Sequence, residues 1–135
     1  MTSDNFSNGN TEIRNKLLLK TKALGIQVIL LSDELPNKPS GWAISRQIIR
    51  SATSVGANYR SVCKAKSNAD FINKLKIVEE ECDETIYWLE VALETKLLSE
   101  NKIRKLLYEA TEILAIIIKS LKTMRAKQPQ SILKL

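Results

Sequence analysis

Residues 40–93 read SGWAISRQIIRSATSVGANYRSVCKAKSNADFINKLKIVEEECDETIYWLEVAL, and their periodicity decides the fold. Ile44, Ile48, Ala52, Val55, Tyr59 and Val62 recur at helical spacing and gather on one side. Arg46, Arg50, Arg60 and Lys64 fall on roughly the opposite side, within an arc of about 80° at about 100° per residue. One face of this helix packs a core while the other presents positive charge. Lys64-Ala65-Lys66 breaks the pattern. Ser67 then opens a second helix as a capping box, in which Ser67 caps the amide of Asp70 and Asp70 reaches back. In that second helix Phe71, Leu75, Val78, Cys82, Ile86, Leu89 and Leu93 form the core stripe. Ile77, Tyr87, Trp88 and Val91 form another apolar flank, interspersed with Glu80, Glu81 and Glu84.

Working outward, the preceding residues make a first helix over about 12–34, capped by Asn10 or Thr11. Ile13, Leu17, Leu24, Val28, Leu31 and Leu35 share a stripe, but Leu18, Leu19, Ile26, Ile29 and Leu30 lie elsewhere around the cylinder. A helix apolar on more than one side must be covered on more than one side. A neighbouring subunit would supply that cover. Leu19, Ile26, Leu30, Ile77, Tyr87, Trp88 and Val91 are therefore the expected oligomer interface, aromatic anchors being favoured at such surfaces. Pro36 and Pro39 interrupt the chain, and Ser40 is expected to cap helix two over about 41–64. Gly56 within it reads as a point of close helix approach. Helix three spans about 68–94. Ser99 is expected to cap helix four over about 100–126, with Ile103, Leu106, Ala110, Ile113, Ile117 and Leu121 inside and Arg104, Lys105, Lys119 and Lys122 outside. Residues 1–10 read as a disordered polar leader and 128–135 as a tail, leaving residues 11–127 as an antiparallel up-down-up-down four-helix bundle.

Composition sets the bounds on function. The 135 residues include four glycines and three prolines, too few for a turn-rich β fold. Hydrophobic residues are 44% and charged residues 27%, as expected of one folded domain. The absence of histidine removes Ser-His-Asp and Cys-His nucleophile systems, most zinc sites and the Glu-x-x-His pairs of di-metal bundles. Cys63 and Cys82 lack CxxC spacing and read as free thiols in a reducing cytoplasm. No Gly-rich phosphate loop is present, and no cofactor, metal or catalytic residue is expected. The longest wholly apolar run, Ile113 to Ile118, is far short of a membrane span. A net charge of +6 fits an anionic partner, RNA or DNA, held by Arg46, Arg50, Arg60, Lys64 and Lys66 with the cations of helix four. The alternative is a structural or protein-interaction module whose charge serves solubility and subunit pairing.

Three segments carry a resemblance. Arg50 to Arg60 (RSATSVGANYR), Phe71 to Leu75 (FINKL) and Glu80 to Glu90 (EECDETIYWLE) together resemble the four-helix-bundle family of the 23S ribosomal RNA intervening-sequence protein, over roughly residues 15–125. The resemblance implies a bacterial protein whose subunits form a ring, typically a pentamer. A related branch, the accessory variability proteins of diversity-generating retroelements, implies binding to a reverse transcriptase and its template nucleic acid. Many members carry Ala-Glu-Gly where this chain has Tyr59-Arg60-Ser61, a change that replaces an acid by a cation.

Overall fold

The computed structural model describes residues 2–127, with side chains from residue 11 onward. It is a four-helix bundle of α1 (Thr2–Ser32), α2 (Pro39–Val62), α3 (Asn68–Glu94) and α4 (Glu100–Ala126), with no strand among the described residues. Each helix packs against two others. The seams α1–α2, α2–α3 and α3–α4 are dense and α4–α1 is thinner, while among the described residues the backbones of the diagonal pairs stay further apart. No described helix is long and apolar enough to cross a membrane.

The core follows the hydrophobic periodicity. All six apolar residues of the α2 stripe are buried, as are Leu17, Leu24, Val28 and Leu31 of α1. Leu75, Val78, Cys82 and Leu89 of α3 meet Ile103, Leu106, Ala110, Ile113, Ile117 and Leu121 of α4. Each such large side chain contributes about 1.5–3 kcal/mol by leaving water. Ile13 departs from the expected stripe and is 49% exposed. Two polar groups are wholly buried where α2 meets α3. The Thr85 hydroxyl lies 3.1 Å from the Ser51 hydroxyl and 2.9 Å from the Glu81 carbonyl, so neither is left without a partner.

Small residues set the α1–α2 spacing. Gly25 lies against Ala52 and Thr53, and Gly56 lies against the main chain of Thr21. A Cβ at Gly56 would stand 3.2 Å from the Thr21 carbonyl oxygen, which is the close approach read from the sequence.

The helix ends depart from expectation in physically explicable ways. α1 begins at Thr2, where a leader through residue 10 was expected, and neither Asn10 nor Thr11 caps it. No proline lies in that stretch, and an established helix extends one hydrogen bond per residue at little cost. α2 begins at Pro39 with Lys38 at the N-cap, so Ser40 lies inside the helix and does not cap it. Proline suits the first helical position because its φ is already helical and its missing N–H had no partner to lose. α3 does open at Ser67, whose hydroxyl accepts from the Asp70 N–H at 3.1 Å. The Asp70 carboxylate, however, accepts from the N–H of Lys66 at 3.0 Å rather than from that of Ser67. Ser99 occupies the N-cap of α4 without a side-chain cap bond. In the turn before it Lys96 takes a φ of 56°, and its N–H donates to the Leu93 carbonyl at 3.1 Å. The tail expected over 128–135 lies outside the described residues.

Candidate functional site

Helix α2 carries its cations outward because Ile44, Ile48, Val55 and Tyr59 point inward. Arg46, Arg60 and Lys64 are exposed, and so is Lys66 in the connection to α3. Among the described residues no ion pair reaches any of these four. Arg50 is different. Its guanidinium spans the α2–α3 seam to Glu84 and, at 3.0 Å, to Glu81. The hydrogen bond it donates to Glu84 leads the forces that hold its pKa above the ordinary value. Trp88 Nε1 donates to the same Glu84 carboxylate at 3.3 Å. Arg50 thus closes a seam within the chain, and its charge is compensated there.

The cations of α4 divide in the same way. Arg104 pairs with Glu100 one turn back at 2.8 Å. Lys105 lines a shallow groove of about 210 Å³ against α1, beside Leu30 and the Lys102–Glu34 pair (2.9 Å). Lys122 is exposed, and Lys119 turns toward a much larger cavity. The nine expected nucleic-acid contacts therefore do not share one face. Two are spent on carboxylates, Lys105 sits near the end of α1, and Lys66 and Lys119 meet at the α2–α3 connection.

That cavity, about 850 Å³, opens where α1, the α2–α3 connection and the last turns of α4 converge. Arg14, Lys16, Lys66, Lys119 and Lys127 line it, and among the described residues no carboxylate does. Its wall includes Tyr59 and the half-buried Cys63, which share a hydrogen bond. Burial pushes the Tyr59 phenol and the Cys63 thiol up, while the charge of Arg14 draws both down. Asp70 stands just outside. The Lys66 N–H, then Lys74 at 3.1 Å, hold its carboxyl below the usual range. Arg14 and Lys16 were not singled out from the sequence. The signal was their position on the turns of α1 nearest the start of its buried stripe, which a bundle brings to the same end as the last turns of α4.

The expected interface residues also separate. Leu19 (73% exposed), Leu30 (62%) and Ile26 stand out from α1, and Ile77 and Tyr87 from α3. Trp88 and Val91 are instead half-buried against the chain's own core, with the Trp88 ring edge-on to Tyr87 at 5.0 Å between centroids. Tyr108 of α4, not anticipated, is 72% exposed. No cluster of three or more potential metal-ligating residues occurs among the described residues.

The pattern that defines 23S rRNA-intervening sequence proteins matches residues 14–119. The chain belongs to that family. The match spans all four helices and includes the α2 cations, the Arg50–Glu84 seam and most of the large cavity. Among solved structures, the chain is similar to a 1.70 Å crystal structure from Bacteroides thetaiotaomicron, described as a protein with unknown function from the S23 ribosomal protein family. The two are 36% identical with a TM-score of 0.73, over 78% of this chain and 98% of that one. No curated protein matches the chain. For this member of the 23S rRNA-intervening sequence family, the geometry offers anion binding: exposed guanidinium and ammonium groups, several of them uncompensated.

Proposed function

We propose that this protein is a non-enzymatic, cytoplasmic, homo-oligomeric bundle that binds nucleic acid, RNA or DNA, or scaffolds a nucleic-acid enzyme such as a reverse transcriptase. The observation that carries the reading is the set of exposed cations without an ion-pair partner among the described residues: Arg46, Arg60 and Lys64, with Lys119 and Lys122, while Lys66 lies beside the Asp70 carboxylate. Such groups contact phosphates and give affinity without sequence information. Arg50 and Arg104 serve the fold in this reading and contribute little to binding.

The oligomer is supported by the exposed stripe Leu19, Ile26 and Leu30. A ring, with five subunits as the expected count, would repeat weak phosphate contacts and gain avidity. The up-down-up-down topology is supported by contacts whose residue numbers run in opposite senses. Gly25 faces Ala52 while Thr21 faces Gly56, and Lys20 pairs with Glu112 while Glu34 pairs with Lys102.

The test is binding of the purified chain to structured RNA, duplex DNA and single-stranded DNA across a salt series. The expected result is a linear fall of log K with log salt, with a slope of about −0.9 per phosphate neutralised on duplex DNA. Arg46→Glu with Arg60→Glu should weaken binding and flatten that slope. No binding at low salt refutes the reading. It would favour the module in which charge serves packing, as the Arg50 seam already does.

A further inference from the structure

The cavity at the α2–α3 connection has a composition that the exposed faces lack. At about 850 Å³ it lies within the roughly 300–1,000 Å³ typical of small-ligand sites. Its cations come from separate elements: Arg14 and Lys16 from α1, Lys66 from the connection, Lys119 from α4. Like charges are not gathered around a concavity without cost; Asp70 beside Lys66 and Glu112 near Lys16 offset part of it, while no carboxylate among the described residues lines the concavity against Arg14 and Lys119. The ligand that fits therefore carries more than one negative charge. Between the cations the wall is apolar and partly aromatic, with Leu17, Val62, Phe71, Ile116 and Met124 beside Tyr59. A ligand that fills it needs an apolar body as well.

A fatty acid has the body but a single charge, and could not compensate both Arg14 and Lys119. Inorganic polyphosphate has the charge but leaves the apolar wall in water. A nucleotide has both, a flat base that packs on apolar and aromatic side chains and phosphates that take charge-assisted hydrogen bonds from Arg and Lys. We propose that this cavity binds a nucleotide, with the base against Phe71 and Ile116 and the phosphates on Arg14, Lys66 and Lys119. The nucleotide is either free or one unit of a single strand. The strand case rests on the nucleic-acid reading above; the free case does not.

The chain holds its own reporter. Cys63 is a half-buried free thiol on the cavity wall, whereas Cys82 is a free thiol fully buried in the core. Labelling of the full chain with iodoacetamide, read by peptide mass spectrometry, follows Cys63 directly. The probes are ATP, a short oligothymidylate, inorganic triphosphate and dodecanoate. Saturating ATP or oligothymidylate should slow Cys63 labelling at least about fivefold, since a ligand in the cavity covers the thiol. In Lys119→Glu the concentration for half-protection should rise about tenfold, as expected when a contact to phosphate is lost.

The outcomes separate the two readings. If oligothymidylate binds by fluorescence anisotropy while neither it nor ATP changes Cys63 labelling, the cavity proposal falls and the nucleic-acid reading stands. If ATP protects and no nucleic acid binds at any salt, the proposal stands and that reading falls. Triphosphate protecting as well as ATP, dodecanoate protecting better, or no probe protecting at all would each overturn the proposal.

Discussion

Substituting Gly41 by alanine separates two physical effects of opposite sign. Gly41 lies in the first turn of α2 and is buried. On helix propensity alone, alanine should stabilise by about 0.8–1 kcal/mol. The structure predicts the reverse. A Cβ at this position would stand 3.0 Å from the Pro36 carbonyl carbon and 3.3 Å from the Pro36 nitrogen, and closer still to the carbonyl oxygen. These are main-chain atoms and cannot rotate aside. That carbonyl also accepts the Lys38 N–H at 2.9 Å, and Trp42 Nε1 is tied to Asn37 at 2.7 Å, so moving residue 36 disturbs the whole α1–α2 turn. With main-chain atoms this close the clash falls at the upper end of overpacking costs, about 3 kcal/mol, which leaves a net loss of about 2 kcal/mol after the propensity gain. For a domain of this size that lowers Tm by about 4–8 °C. Thermal unfolding followed by circular dichroism, with urea unfolding alongside, measures it. A Gly41→Ala protein as stable as the parent, or more so, would refute the claim that this turn is sterically closed.

Three further predictions use the same preparations. Leu19→Glu combined with Leu30→Glu should reduce the mass seen by light scattering to the 15.2 kDa subunit while helix content is kept, because both side chains are exposed within the chain; an unchanged mass would move the interface elsewhere. Arg50→Ala should cost at most about 1 kcal/mol, the ordinary limit for an exposed pair, and the loss should vanish in molar salt; a larger, salt-insensitive loss would mean the seam is held by packing. Burial pushes the Cys82 thiol from its ordinary value near 9 up to about 12. The unfolded chain therefore loses a proton first as pH rises, and stability falls between those values by about 1.4 kcal/mol per pH unit. The Cys82→Ala protein should show a shallower decline in urea unfolding across that range, and an identical decline would count against the assignment.

What the sequence made legible was whatever depends on a single helix. The α2 stripe from Ile44 to Val62 is buried as its spacing requires, and Ser67 caps α3 through local geometry alone. Ser40 misled because two start signals competed, and Pro39 at the first helical position prevailed. What stayed hidden depends on how helices are set against one another. Arg50 and Arg46 are equivalent on a helical wheel, yet the α2–α3 register places Glu81 and Glu84 opposite Arg50. Trp88 reads as an outward anchor until that same register shows its ring half-buried beside Glu84. The cavity is assembled from three separate stretches of the chain, so no local window of sequence contains it.

The seams of the bundle also bear on how the chain reaches its fold. The three dense seams join consecutive helices through short connections, and the thin α4–α1 seam joins elements distant in the chain. The ordering entropy of each dense contact is therefore that of a short loop, and the long closure comes last and has least to hold. Such low contact order places folding in the microsecond-to-millisecond range. An emerging chain can assemble α1, α2 and α3 before α4 has been made. The exposed edge of α1 is then the final surface to be sealed, which makes it the first region expected to exchange its amide hydrogens in the folded protein.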